Sequence, residues 1–384
     1  MRGPCRSFLT KRYTSTMRSL PDRLRWANTL LQPFAVPHDG GLGRVHPERE
    51  DATRFPFQRD RDRIIHTQAF RRIKHKTQVF IAGHGDHYRT RITHTLEVAQ
   101  ISRDIARTLG LNEDLAEAIA LAHDLGHTPF GHAGEAVMQD CLKPFGKSFE
   151  HNEQSLRIVT LLEKRTTTYP GLNLNREILE GLMRHRTSHD CPGRGRVSRS
   201  PSLEAQIVNL ADEIAYTAHD TDDGIRAKLF DSRDVARTDL GGKALKKSRL
   251  NGTELRGALV DLLVSDLYLE TEKRLKRHRI QDLDDVYAAD VPLVVFSPSM
   301  AASLRELRRF LWDHLYLSSS VLRQAARGKR IVRELFAAYM AHPPRKVIEL
   351  RRRTGSTLEE AVKDFIAGMT DTYAIEAYRK AFRC

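Results

Sequence analysis

The stretch His123-Asp124-Leu125-Gly126-His127-Thr128-Pro129-Phe130-Gly131-His132 decides how this chain is read. It places three imidazoles and a carboxylate within ten residues, directly after an apolar pattern that carries Leu115, Ile119 and Leu121. Adjacent side chains on a helix project about 100° apart, yet His123 and Asp124 can both reach one ion if it lies over the face between them. Gly126 and Gly131 permit tight turns, and Pro129 stiffens the connection, so the run can fold back on itself.

Working outward, two helices frame this run. Arg91 to Leu109 carries Leu96, Val98, Ile101 and Ile105 at helical spacing, with His94 near its start. Gly110 ends it as a C′ glycine, and Asn112 caps the helix that leads to His123. Further on, Leu203, Ile207, Leu210 and Ile214 form the core stripe of another helix, which sets Asp212 near the buried edge. An uncompensated carboxylate there is costly, and a cation makes it favourable. His94, His123, Asp124 and Asp212 are therefore the candidate metal ligands. Two imidazoles and two carboxylates suit a divalent ion such as Mg or Mn with positions open to water and phosphate. They do not suit structural zinc, which prefers closed, cysteine-rich sites.

Composition agrees with an enzyme that handles anions. The chain has 384 residues, a hydrophobic share of 40% and a charged share of 29%, enough for a sizeable core. Its apolar residues recur mostly at spacings of three and four, so the fold class expected is all-α. A net charge of +14 favours polyanionic partners, nucleotides or single-stranded nucleic acid, and also fits a solvated basic surface. The four cysteines form no C-x-x-C pair, which argues against a disulfide framework and for a reducing, cytoplasmic compartment. No apolar run approaches the ~20 residues needed to cross a membrane. The first twenty-one residues carry Arg2, Arg6, Lys11, Arg12 and Arg18 and no acid before Asp22. This reads as a basic tail, as a chain starting at Met17, or by composition as a transit peptide.

The expected organisation has three parts. Residues 1–60 form a basic lead-in with little periodicity, and regular structure begins near Arg61. Residues 61–230 form the metal-binding core, interrupted by a loop from Thr187 to Pro201 that is rich in Gly, Pro, Ser and Arg. Residues 231–384 form a C-terminal helical region packed on that core, with amphipathic stretches at 254–275, 300–317 and 358–379.

His94, His123-Asp124 and Asp212 resemble the H…HD…D signature of the HD-domain phosphohydrolases. Longer segments are similar to the deoxyguanosine triphosphate triphosphohydrolase-like branch. They are Phe70-Arg71-Arg72-Ile73-Lys74-His75-Lys76-Thr77-Gln78-Val79-Phe80, Gly85-Asp86-His87-Tyr88-Arg89-Thr90-Arg91, Asp212-Glu213-Ile214-Ala215-Tyr216 and Ile366-Ala367-Gly368-Met369-Thr370-Asp371. The resemblance implies an HD-domain helical core with a C-terminal helical extension. It also implies a homo-oligomer that responds to deoxynucleoside triphosphates. The implied reaction is attack of water on the α-phosphorus of such a nucleotide, releasing deoxynucleoside and intact triphosphate.

In that reading His132 is a proton-transfer group, Glu135 orients it or activates water, and His127 contacts phosphate. His151 is a further phosphate contact. Arg91, three residues before His94, reaches a phosphate bidentately. Asp212, Tyr216 and Asp220 follow at i, i+4 and i+8 and line one helix face toward phosphate, sugar and 3′-hydroxyl. Two alternatives stay open. One is an HD phosphohydrolase acting on nucleoside monophosphates or guanosine tetraphosphate. The other is a nucleotide- or nucleic-acid-binding regulator.

Overall fold

A computed structural model describes residues 19–49, 51–79, 89–185 and 200–382. The basic segment ahead of Arg18, the Gly85–Tyr88 stretch and nearly all of the Thr187–Pro201 loop lie outside these residues. Among the described residues the chain forms 18 α-helices and three short 3-10 or π segments. Its only β pairings there are isolated bridges, Arg44–Asn175, Thr77–Thr90 and Lys164–Gly171, so the all-α class holds. No helix of the described residues is long and apolar enough to cross a membrane.

Regular structure starts earlier than Arg61. Ser19 caps the helix Leu20–Asn28 through Asp22 N, and Pro56 opens the helix Pro56–Ile65. Caps and N-terminal prolines mark these helices, where periodicity over so few residues does not. The Pro- and Gly-rich run between them is held by distant acceptors. Glu204 Oε1 accepts Val36 N at 3.0 Å, and Glu177 Oε1 accepts Gly41 N at 2.6 Å and Leu42 N at 2.7 Å.

The helices Arg91–Thr108, Glu113–Ala122 and Leu203–Arg226 form the centre of the molecule, each packed on the other two. Ala116, Ala118, Ala120 and Ala122 are fully buried, and these small side chains let the neighbours approach Glu113–Ala122 from several sides. Asn112 caps that helix through Leu115 N, and Gly110 adopts φ +67°, as its place after a helix C-terminus requires.

Two hydrophobic clusters organise the rest. The first draws buried residues from Ala35 to Leu315 and includes both sides of residue 230. The second joins Phe130, Val137, Met138 and Leu142 to Ile331, Leu335, Phe336, Val362 and Ile366. The helix Gly131–Leu142, which follows the His-rich run, is thus bedded on the C-terminal helices Ser319–Ala341 and Leu358–Ala367.

Candidate metal centre and its surroundings

Three elements deliver the four candidate ligands to one point. The first turn of Arg91–Thr108 carries His94, the end of Glu113–Ala122 carries His123 and Asp124, and the middle of Leu203–Arg226 carries Asp212. His94 Nε2 lies 3.0 Å from Asp212 Oδ1 and 3.6 Å from Asp124 Oδ2. His123 Nε2 lies 3.4 Å from Asp124 Oδ1 and 4.0 Å from Asp212 Oδ1. An octahedral ion with bonds of roughly 2.1 Å sets neighbouring ligand atoms ~3 Å apart and opposite ones ~4 Å apart. His94, His123 and Asp124 offer ligand atoms close enough together for one ion, and Asp212 joins His123 and His185 in an overlapping group.

The local chemistry favours a cation. His123 Nδ1 is 2.6 Å from Ala120 O, so it carries the proton and Nε2 is left as a lone pair. That Nε2 is buried and has no hydrogen-bond partner. Burial opposes the Asp124 charge, but the Arg91 guanidinium, with a hydrogen bond from His127, holds its carboxyl well below the usual range. Burial equally opposes Asp212, and His185, His94 and His123 hold it low. Burial disfavours an imidazolium at His94, yet Asp212 and Asp124 outweigh it and raise its pKa. The pocket thus draws positive charge to its centre.

A second cluster shares Asp124 with the first. Its assembly depends on Gly126, where a Cβ would sit 2.0 Å from His151 O and 2.4 Å from Ser155 N. Without a side chain there, the helix His151–Arg157 presses against the HD run. Ser155 Oγ then accepts Gly126 N at 2.8 Å and donates to His123 O at 2.6 Å. His151 stacks on His127, with ring centroids 3.9 Å apart. His127 Nε2 lies 3.1 Å from Asp124 Oδ1. Glu135 sits among three imidazoles: Oε1 is 3.0 Å from His151 Nδ1, and Oε2 is 3.5 Å from His132 Nδ1 and 3.7 Å from His127 Nδ1. Burial opposes its charge, but His151, His132 and His127 drive its carboxyl far below the usual range. Burial, helped by Arg91 and His151, pushes His127 well down, so this ring is neutral. His132 is the exposed member, with 60% of its side chain open to solvent.

The turn between His127 and His132, within the second cluster, is strained. Phe130 adopts φ 64°, a left-handed conformation that bulky residues rarely take. Asp371 holds it there by accepting Phe130 N at 2.9 Å, and Gly328 leaves room for its ring. Asp371 also accepts Thr77 N at 2.9 Å. The Lys76 ammonium donates to His127 O and Ala367 O, fastening the His-rich run to the C-terminal segment.

Three sequence-predicted residues have contacts of their own. Arg91 is buried, and its Nη1 pairs with Asp124 Oδ2 at 2.6 Å. Tyr216 stands one turn beyond Asp212, with the Arg308 guanidinium 5.3 Å from its ring centre. Asp220 accepts the Tyr316 hydroxyl on Oδ2 and meets His219 Nδ1 with Oδ1. Tyr216, Arg305, Arg308, Arg309, Trp312 and Tyr316 line an open cleft of about 420 Å³, which Tyr216 enters one helical turn beyond Asp212.

Periodicity alone did not reveal His185, His219, Arg308 or Tyr316. His185 Nε2 is buried 3.5 Å from Asp212 Oδ2, and its Nδ1 is 2.6 Å from Asn209 Oδ1. The signal for His219 was present, seven residues after Asp212 and therefore two turns along the same face. Arg308 and Tyr316 lay in a stretch that reads only as an amphipathic helix.

Comparison with known proteins now adds to the geometry. Residues 91–217 match the HD domain, and residues 294–380 match the phosphohydrolase-associated domain. A deoxyguanosinetriphosphate triphosphohydrolase-like protein of Thiobacillus denitrificans is 45% identical over 365 residues, covering 91% of this chain and 96% of that one. A protein of the same description from Geobacter sulfurreducens is 44% identical over 370 residues, covering 92% and 95%. This chain belongs to the deoxyguanosinetriphosphate triphosphohydrolase-like family of HD-domain proteins. It is an HD phosphohydrolase by descent, and its two clusters fall within the HD match. The phosphohydrolase-associated match coincides with the helices that carry Arg308, Tyr316, Ala367 and Asp371.

Proposed function

We propose that the protein hydrolyses deoxynucleoside triphosphates to deoxynucleoside and inorganic triphosphate. One observation carries the reading: Asp124 belongs at once to the metal-type cluster and, through His127, to the His/Glu cluster. A phosphoryl group between them meets charge neutralisation on one side and proton-transfer groups on the other. The names of the relatives and the cleft beside Asp212 support a nucleotide as substrate.

His94, His123, Asp124 and Asp212 would hold a divalent cation, which when bound would supply Lewis acidity toward the phosphoryl oxygens. Water adds to the α-phosphorus and releases one proton to solvent, the bond from phosphorus to the sugar 5′-oxygen breaks, and that oxygen takes up a proton. His132 is the donor, because it is the solvent-accessible imidazole beside Glu135. A carboxylate held as acidic as Glu135 is a weak base, so it orients His132 and His151. His127, neutral and stacked on His151, contributes a ring contact to phosphate. Tyr216 and Tyr316 provide flat apolar walls for the nucleoside, and Tyr216 against C2′ excludes a 2′-hydroxyl.

The test incubates the pure protein with each deoxynucleoside triphosphate, singly and mixed, with Mn²⁺ or Mg²⁺, and separates the phosphate products. Triphosphate and deoxynucleoside are expected, and Asp124→Ala abolishes both. Orthophosphate or pyrophosphate as the sole inorganic product overturns the reading.

A further inference from the structure

We infer that His219 and Asp220 are positioning residues that hold His94 in the tautomer offering Nε2 to the metal. The inference rests on the metal-centre reading and extends it to residues outside the ligand set. His94 Nδ1 and His219 Nε2 face each other at 2.9 Å, with the rings nearly perpendicular at 84°. A neutral imidazole has one donor and one acceptor nitrogen, so exactly one of these two atoms carries the shared proton. The other side of His219 decides which. Its Nδ1 stands 2.7 Å from Asp220 Oδ1.

A lone pair at that Nδ1 would confront a carboxylate at contact distance inside the protein, where charges are poorly screened. A proton there is attracted instead. Asp220 is the next residue in the chain and reaches Nδ1 off the N–H axis, so its hold is electrostatic rather than an aligned hydrogen bond. With the proton on His219 Nδ1, Nε2 becomes the acceptor and His94 donates from Nδ1, which leaves His94 Nε2 free for a cation held between it, Asp212 and Asp124. The opposite assignment puts the His94 proton on Nε2, where it blocks ligation.

The array is buried and anchored at its far end. His219 is fully buried and Asp220 is 2% exposed, so water does not compete for these contacts. The Tyr316 hydroxyl donates to Asp220 Oδ2, which keeps Oδ1 turned toward His219. The chain His94–His219–Asp220–Tyr316 therefore runs from the metal centre to the wall of the cleft. Removing a partner that orients a metal-ligating histidine typically weakens metal binding about 10–100-fold.

The experiment titrates metal-free wild type, His219→Ala and Asp220→Asn with Mn²⁺ by calorimetry, without nucleotide. It then compares the visible spectra of the Co²⁺ forms. The Mn²⁺ dissociation constant is expected to rise about 10–100-fold in both variants, with an altered Co²⁺ spectrum and a near-native unfolding midpoint for the isosteric Asp220→Asn. Wild-type Mn²⁺ affinity in both variants overturns the inference. So does an Asp220→Asn protein with wild-type Mn²⁺ affinity and Co²⁺ spectrum whose only defect, in a separate steady-state assay, is a raised KM for nucleotide, which makes Asp220 a substrate contact. Absence of Mn²⁺ and Co²⁺ binding by wild type overturns the metal centre itself. Because no nucleotide is present, the wrong substrate assignment leaves the titration unaffected.

Discussion

Arg91 and Asp124 form a buried ion pair, Nη1 to Oδ2 at 2.6 Å, at the edge of the metal centre. Arg91 Nη2 also donates to Thr77 O at 3.2 Å. The guanidinium is thus built into the wall and balances a carboxylate that also belongs to the candidate metal centre. Arg91→Met keeps the stem and removes the charge. It is expected to destabilise the metal-free protein by about 3–5 kcal/mol, the usual cost of breaking a buried pair. Saturating Mn²⁺ should recover part of that loss, and urea unfolding with and without Mn²⁺ checks both points.

Chelation should lower stability by itself. Asp124 and Asp212 stay charged inside the protein, and a bound cation stabilises that charge. Free metal at 100 times its dissociation constant adds about 2.7 kcal/mol. Thermal unfolding with EDTA and with excess Mn²⁺ measures the difference, which should disappear in Asp212→Ala.

Glu204 gives a pH signature away from the site. Burial raises its carboxyl to about 7 despite the backbone N–H groups of Asn112 and Val36. The folded protein therefore holds this proton more tightly than the unfolded chain, whose carboxyl titrates near 4.5. The stabilisation is complete below that value and is lost as pH rises through about 7. Glu204→Gln should be more stable than wild type at pH 8, by on the order of 2–3 kcal/mol, and similar to it at pH 5. Melting curves at the two pH values decide the matter.

Asp371→Ala should separate catalysis from metal binding. It strips the acceptor from Phe130 N and Thr77 N and leaves the strained Phe130 turn without its anchor. Each orphaned buried donor costs about 1–3 kcal/mol. A lowered unfolding midpoint and a kcat reduced at least ~10-fold are expected, with Mn²⁺ affinity near that of wild type. A parallel loss of metal affinity would show that the segment supports the ligands and not only the His-rich run.

Gly126→Ala should be far more damaging than its size suggests. The new methyl group meets the backbone of His151 and Ser155, which cannot turn aside as a flexible side chain can. His151 must move away from His127 and Glu135. A displacement near 1 Å lowers the rate about 100-fold, and steady-state kinetics beside a metal titration shows whether the first cluster survives.

Much of the centre was legible because it is local. His123, Asp124, His127, His132 and Glu135 fall within thirteen residues, and the Gly110 and Asn112 caps mark where the two framing helices end and begin. His94 and Asp212 were legible because a polar residue at the buried edge of an apolar stripe needs a partner. The lead-in was not legible: its backbone is satisfied by Glu177 and Glu204, whose reach across the fold leaves no trace in local periodicity.

The sequence by itself determined the helical class, the candidate ligands and the family, since these depend on spacing and on short, dense motifs. Only the tertiary structure decided what those ligands lean on. His219 behind His94, Arg91 spent on Asp124, Tyr316 closing on Asp220, and Lys76 with Asp371 fastening the His-rich turn all join residues far apart along the chain or give a near neighbour an unexpected role. Helical periodicity reports which face of a helix is buried. It is silent on what that face meets, and buried polar groups take their function from the partner they meet.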